Sequence, residues 1–339
     1  MTKVLVTGSA GFIGFHLTKA LLDRGFDVVG VDNLNDYYDP LLKQDRLDSI
    51  GRYIRDRGFL GRYHFSKLDI SDDKALDKLF SDYHFDIVIN LAAQAGVRYS
   101  LENPKAYVNS NLVGFTNILE CCRNGKIDHL LFASSSSVYG MNVSQPFSTS
   151  DNTDFPISLY AATKKSNELL AHSYSHLYKI PCTGLRFFTV YGPYGRPDMA
   201  YYSFCKAINE GTPIDVFNNG KMERDFTYVD DIVAGILALI NKPPPPQSNK
   251  ITKSLAPFKV FNIGNNNPIS LRRFIEAIET ALGKKAAERM LPMQPGDVPS
   301  TFANIDDLTA VTGFTPSTTI EDGIKLFVDW YKKSNKKNL

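Results

Sequence analysis

Apolar residues keep two alternating rhythms along the first half of the chain. Lys3 to Thr7 is a short β-branched run that stops at Gly8, and Phe12 to Arg24 then carries apolar residues at helical spacing. Gly25 ends that helix, and Asp27 to Asp32 reads as a second strand with an acid at its carboxyl end. The alternation goes on with a strand near Tyr63 to Leu68, a helix over Lys74 to Ser81 and a strand at Asp86 to Leu91. A long helix over Tyr107 to Cys122, a strand at His129 to Ser134, a helix over Ser158 to Tyr178 and a strand through Thr183 to Phe188 follow. Repeated βα units predict an α/β fold, a Rossmann-like doubly wound parallel sheet with helices on both faces. Asn33 to Leu60 interrupts the pattern: polar and Tyr-rich, it reads as a loop and a charged helix without a legible role.

From Val190 the composition changes. Glycines and prolines cluster from Tyr191 to Pro197, and helical spacing returns over Ser203 to Glu210 and Asp230 to Leu239. Pro243 to Pro246, with Gln247 to Ser254, reads as an exposed loop; Val260 to Ile263 reads as a strand; Ser270 can cap a helix running to Leu282 before Gly283. The expected division is a dinucleotide-binding domain over 1–190, rejoined by about 226–258, and a smaller C-terminal α/β substrate-binding lobe over 191–225 and 259–339.

Composition narrows the function classes. The 339 residues are 43% hydrophobic and 22% charged, as in an ordinary globular protein, and a net charge of +2 implies no large basic surface for nucleic acid. Cys121, Cys122, Cys182 and Cys205 lack paired spacing, which fits reduced thiols in a cytoplasmic protein. Nothing after Met1 resembles a signal sequence, and no segment has the apolar length of a membrane span. His172 and His176 are four apart, but no H-E-x-x-H or supporting cluster accompanies them, so no metal is expected.

The candidate chemistry centres on Tyr160-Ala161-Ala162-Thr163-Lys164, downstream of the run Ser134 to Ser137. Four residues apart on a helix, Tyr160 and Lys164 share a face. Lowering a phenol pKa by roughly three units takes about 4 kcal/mol. One ammonium about 5 Å away supplies on the order of 3 kcal/mol at an effective dielectric near 20. A second cation is therefore called for, and an oxidised nicotinamide would serve. Gly8, Gly11 and Gly14, between a strand and a helix, let backbone N–H groups approach a pyrophosphate. Asp32 is placed to accept from both ribose hydroxyls of NAD, and no arginine follows within a dozen residues, which favours NAD over NADP. Asp69-Ile70 could hold the adenine end or simply form a turn. A hydroxyl of the serine run, beside Tyr160, could share a moving substrate proton.

These residues resemble the extended short-chain dehydrogenase/reductase superfamily over nearly the whole chain. Within it, Val31 to Tyr38, Ala92 to Ser100 and Leu185 to Ala200 (LRFFTVYGPYGRPDMA) look like UDP-glucuronate 4-epimerases. The resemblance implies NAD contacts from Phe12, Ile13, Asp32, Asn33, Asp69, Ile70, Leu91, Ala92, Ala93, Asn111, Tyr160 and Lys164, with Ser135, Tyr160 and Lys164 catalytic. It implies that Arg98, Ser135, Ser136, Ser137, Thr189, Arg196, Arg224 and Asp297 face a UDP-sugar. Related dehydratases and decarboxylases carry carboxylates where Ser136 and Ser137 stand, and Thr189 replaces the Asn of galactose epimerases. Tyr194, often Trp in relatives, and Gln294, an arginine in galactose epimerases, are departures. The helices Tyr107 to Cys122 and Ser158 to Tyr178 would pair two subunits into a homodimer.

The expected activity is NAD-dependent interconversion of UDP-glucuronate and UDP-galacturonate. The rivals are an epimerase of UDP-glucose/galactose or their N-acetyl forms, a non-catalytic nucleotide sensor and a small-carbonyl reductase.

Overall fold

The computed structural model describes residues 1–246, 253–293 and 298–337. Gln294, Asp297 and positions 247–252 of the expected exposed loop lie outside the described residues. The strands run β1 Lys3–Thr7, β2 Asp27–Asp32, β3 Tyr63–Lys67, β4 Ile87–Asn90, β5 His129–Ser135, β6 Cys182–Phe187, β7 Thr189–Tyr191, β8 Ile214–Val216, β9 Glu223–Tyr228, β10 Phe258–Ile263, β11 Pro268–Ser270 and β12 Glu288–Met290.

A seven-stranded sheet has the order β10-β6-β5-β4-β1-β2-β3. β1 pairs in parallel with β2 and β4, β2 with β3, and β4 with β5, as repeated βα units require. Its strands are near-continuous apolar runs because both faces are covered: Val4, Leu5, Val6, Val88, Ile89, Leu130, Leu131 and Phe132 are inaccessible to solvent. The sequence order reverses between β1 and β4, and ligands of open α/β sheets bind outside the carboxyl ends of the strands at such a point.

Two compact units divide the described residues. The first takes those within Met1–Gly140, Asn152–Arg186 and Val233–Phe261; the second takes those within Met141–Asp151, Phe187–Ile232 and Asn262–Leu339. Inside the second unit, β9 pairs in parallel with β7 and antiparallel with β11, and β8 pairs with β12. Ser270 caps the helix Leu271–Leu282, and Gly283 ends it in the left-handed region. Phe274 of that helix stacks on Phe226 of β9, ring centroids 4.3 Å apart.

One expected element differs in kind. Instead of a single helix from Tyr107, the chain forms a short helix over Pro104–Tyr107 capped by Asn103, a π-helical stretch over Val108–Val113, and an α-helix over Gly114–Gly125. Periodicity of 3.6 cannot reveal one inserted wide turn, and such turns cluster at functional sites. Asn33 to Leu60 does contain a helix, Pro40–Arg57, started by the Asp39 cap and ended at Gly58 in the left-handed region.

Candidate active site

β1 ends at Thr7, and the chain turns through Gly8 at φ +71° into the helix Phe12–Asp23. A Cβ on Gly8 would lie 2.9 Å from the Ala92 nitrogen, so only glycine lets this turn approach the chain leaving β4. The Thr7 hydroxyl donates to Asn90 at 2.6 Å and accepts from the Ala92 N–H at 3.1 Å. These bonds bring Leu91, Ala92 and Ala93 beside the glycine turn, at the reversal point of the sheet. A Cβ on Gly14 would meet the Gly8 carbonyl at 2.1 Å, so this glycine lets helix and turn pack together. Gly11 gives the helix no side-chain cap, and its first turn holds no acid. The first N–H groups and the positive end of the helix dipole are thus available to an anion.

Asp32, at the end of β2, is 7% exposed. Its Oδ1 accepts from the Leu34 N–H at 2.9 Å and from Lys43 Nζ at 3.3 Å. Lys43, 5% exposed, also donates to Asn35 at 2.8 Å. Arg46, fully buried, donates to the Ala10 carbonyl of the glycine turn at 2.9 Å. Sequence reasoning misses both cations: the stretch just after Asp32 holds no arginine, yet a lysine one helix turn past Asp39 reaches the carboxylate. Asn33 donates to Asp69 at 2.8 Å, and the Ser71 N–H and hydroxyl donate to the same carboxylate. Burial alone would raise the Asp69 carboxyl, but the bonds from Asn33 and Ser71 outweigh it and hold its pKa below the usual value. Asp69 is thus a turn former that also reaches Asn33.

Asn111 sits in the π-helical stretch and is buried. Its side chain accepts from the Gln94 N–H at 2.8 Å and donates to the Gln94 carbonyl and to Thr163 Oγ1, each at 3.0 Å. Asn167 donates to the Asn111 carbonyl at 2.6 Å. The structure therefore shows Asn111 fastened to the helix that carries Tyr160 and Lys164, through Thr163 and Asn167, a role that resemblance did not supply. Ile70 packs where Gly114 lacks a side chain, a Cβ there falling 2.6 Å from Ile70 Cγ1.

The helix Leu159–Tyr178 starts at Ser158, whose hydroxyl accepts from the Ala161 N–H at 3.1 Å. Tyr160 is therefore in its first turn, where a phenolate would face the positive end of the dipole. The Tyr160 ring packs edge-on against Tyr107, centroids 6.1 Å apart. Lys164, 3% exposed, donates to the Ala133 carbonyl of β5 at 3.0 Å. Burial pushes the Lys164 pKa down to about 8. Desolvation thus works against the ammonium that the sequence argument places beside Tyr160. Ser135 ends β5, and its Oγ accepts from the Ser137 N–H at 3.2 Å and the Ser137 hydroxyl at 2.9 Å. With both lone-pair directions used, the Ser135 O–H is the donor left for a substrate oxygen. Ser136 follows in the short 3₁₀ turn Ser136–Tyr139, and Arg98 is exposed ahead of the helix Tyr99–Glu102.

In the second unit, Thr189 begins β7 and is half-buried. Arg224 of β9 donates to the carbonyls of Glu223 at 2.8 Å and Pro299 at 3.1 Å. Arg196 is paired with Asp198, donating from Nε at 3.0 Å and also from Nη2. Its charge is thus already countered locally. His172 packs on Phe258 and His176 bonds Ser254, and no group of three potential metal ligands occurs among the described residues.

The residues fit a dinucleotide: a glycine turn that tolerates no Cβ, a helix start without a cap, and a buried acid at the end of β2. The chain matches the NAD dependent epimerase/dehydratase family over residues 4–264. It is 57% identical to Protein CapI of Staphylococcus aureus, covering 99% of this chain and all of that protein. It is 50% identical to a probable UDP-glucuronate 4-epimerase of Rhizobium meliloti, covering 98% and 97%. Among solved structures, the UDP-glucuronic acid 4-epimerase of Bacillus cereus, in complex with UDP-glucuronic acid and NAD, superposes with a TM-score of 0.87 at 35% identity over 98% of this chain and all of that one. Matched over residues 4–264, and similar over nearly its whole length to these proteins, the chain belongs to the NAD dependent epimerase/dehydratase family.

Proposed function

We propose that the protein interconverts UDP-glucuronate and UDP-galacturonate, inverting C4 through a transient 4-keto sugar. The observation that carries this is the hydroxyl set at the end of β5: Ser135 is bonded by Ser137 at 2.9 Å, and Ser136 and Ser137 occupy the positions where elimination or decarboxylation would need a carboxylate. The full-length similarity to UDP-glucuronate 4-epimerases supports the same substrate.

Bound NAD supplies the hydride acceptor and donor for C4, so none is consumed in a cycle. Gly8, Gly11, Gly14, Phe12 and Ile13 would hold its pyrophosphate, Asp32 and Asn33 its ribose, and Leu91 to Ala93 would line its path. Tyr160 takes the proton of the sugar 4-hydroxyl and returns it to the same oxygen, O4, when C4 is reduced again on its other face. Ser135 donates to O4, and as a fixed dipole it needs no reorganisation while that oxygen changes charge. Lys164 favours the phenolate of Tyr160. Ser136 and Ser137 bring no negative charge against the sugar carboxylate. We assign Thr189 and Arg224 to the sugar and its diphosphate, with lesser parts for Arg98 and Arg196; Asp297 lies outside the described residues.

We also infer a cytoplasmic homodimer. Leu169 and Leu177 of the catalytic helix and Val108 and Val113 near it are exposed apolar residues on the elements expected to pair. No described helix is long and apolar enough to cross a membrane.

The test is to incubate the purified protein with UDP-glucuronate or UDP-glucose and follow the C4 configuration by NMR. UDP-galacturonate should form; interconversion of UDP-glucose alone would transfer the assignment to a neutral-sugar epimerase. Tyr160→Phe should keep its NAD and lose turnover by at least about a hundredfold, the low end for an acid/base group. Near-normal turnover would remove Tyr160 from the mechanism.

A further inference from the structure

A buried ion pair behind the catalytic residues has no part in the chemistry above. Glu168, 5% exposed, lies one helical turn beyond Lys164 and two beyond Tyr160. Its Oε1 accepts from Ser134 Oγ at 2.6 Å and from Arg186 Nε at 2.8 Å, and its Oε2 accepts from Arg186 Nη2 at 2.7 Å. Arg186, in β6 and 4% exposed, donates from Nη1 to the Tyr139 hydroxyl at 3.0 Å and lies 4.8 Å from that ring's centroid. Ser134 immediately precedes Ser135, and Tyr139 closes the turn that holds Ser136 and Ser137.

We propose that Glu168 and Arg186 are positioning residues: the bidentate pair grips the serine segment at both ends, through Ser134 and Tyr139, and sets it against the helix that carries Tyr160 and Lys164. Three considerations favour positioning over stability. A buried ion pair is often replaceable by apolar residues without loss of stability, because desolvating two charges offsets their attraction. Its value then lies in geometry, and a forked guanidinium–carboxylate pair fixes two directions at once. The contacts also fall on either side of Ser135: Lys164 holds the Ala133 carbonyl and Glu168, one turn on, holds the Ser134 hydroxyl before it, while Arg186 holds the Tyr139 hydroxyl after it. Register between β5 and the helix is thereby fixed at two successive residues. Without the pair, Ser135 and Tyr160 would each remain folded but drift relative to the same C4–O4 bond.

The inference rests on the epimerase reading, and three variants of the full-length holoprotein separate them. Ser134→Ala removes one grip and leaves the ion pair. Glu168→Met combined with Arg186→Met removes the pair without stranding a charge. A rescue control, Glu168→Gln with Arg186→Met, keeps an acceptor for Ser134 and leaves no guanidinium unpaired. Since a misplacement near 1 Å costs about a hundredfold in rate, the double variant should lose roughly thirtyfold or more in kcat and Ser134→Ala about fivefold. KM for the UDP-sugar, NAD content and thermal midpoint should stay near wild type, and the rescue control should recover the part of the loss that comes from releasing Ser134. Amide exchange across residues 133–139 should quicken in the double variant while β4 is unchanged, a readout independent of turnover. Wild-type kcat in Ser134→Ala and the double variant would overturn the proposal, as would no recovery in the rescue control, or an NAD content and midpoint that fall with kcat. If the double variant does not fold, unchanged kcat in Ser134→Ala overturns it alone. A wild type that turns over no UDP-hexose defeats the epimerase reading instead, and the exchange rates then decide the clamp.

Discussion

Lys164→Met should make the dinucleotide-free protein more stable at neutral pH. The lysine is 3% exposed, its ammonium donates to the Ala133 carbonyl, and burial pushes its pKa from 10.5 down to about 8. That difference corresponds to roughly 3 kcal/mol of cost for holding the ammonium in the folded state at pH 7. Losing the hydrogen bond to Ala133 returns about 1 kcal/mol of it, leaving a gain near 2 kcal/mol for a methionine of similar length. The sign follows from linkage. The folded pKa lies below the unfolded one, so between pH 8 and 10.5 the unfolded chain binds more protons and the lysine's contribution to stability rises with pH. Buried Cys121, Cys122, Cys182 and Cys205 have raised pKa values and act in the opposite direction above pH 9, so the quantity to read is the difference between variant and wild type. Urea unfolding of both proteins, stripped of NAD, at pH 7 and at pH 10.5 gives it. The variant should be more stable at pH 7 and lose most of that advantage at pH 10.5. A destabilised variant at pH 7, or an advantage independent of pH, would refute the assignment of a desolvated ammonium.

Two further outcomes follow from residues outside the reacting centre. Asp32→Asn should leave Lys43 without its carboxylate, and a freed buried ammonium beside the ribose should improve NADP binding, by about tenfold for one charge-assisted contact; the gain, measured by calorimetry, should vanish when Lys43→Met is added. Leu169→Arg with Leu177→Arg should shift the proposed dimer to monomer in analytical ultracentrifugation, because each puts a charge on a residue exposed on the helix expected to pair.

The parallel sheet, the glycine turn and Asp32 are legible in the sequence because each follows from local pattern: short apolar, β-branched runs alternating with helical spacing, glycines between a strand and a helix, and an acid closing a strand. Other features depend on partners far away in sequence. Lys43 and Arg46 read as the polar face of a charged helix, yet both are buried because Asp32 and the Ala10 carbonyl lie beneath them. Glu168 looks like any acid on an amphipathic helix until Arg186 and Ser134 are placed beside it. Resemblance puts Asn111 at NAD, but its hydrogen bonds to Gln94 and Thr163 depend on the π-helical turn that periodicity averages away. Lys164 reads as a cation for Tyr160, whereas its own desolvation cannot be read without its surroundings.

The central claim is that C4 loses its hydride and receives the same one back. The direct measurement uses UDP-glucuronate carrying deuterium at C4, incubated with the protein without added coenzyme and followed by NMR. The account predicts UDP-galacturonate with deuterium retained at C4; loss of the label to solvent, or a product that forms only when coenzyme is supplied in proportion to sugar, would contradict it.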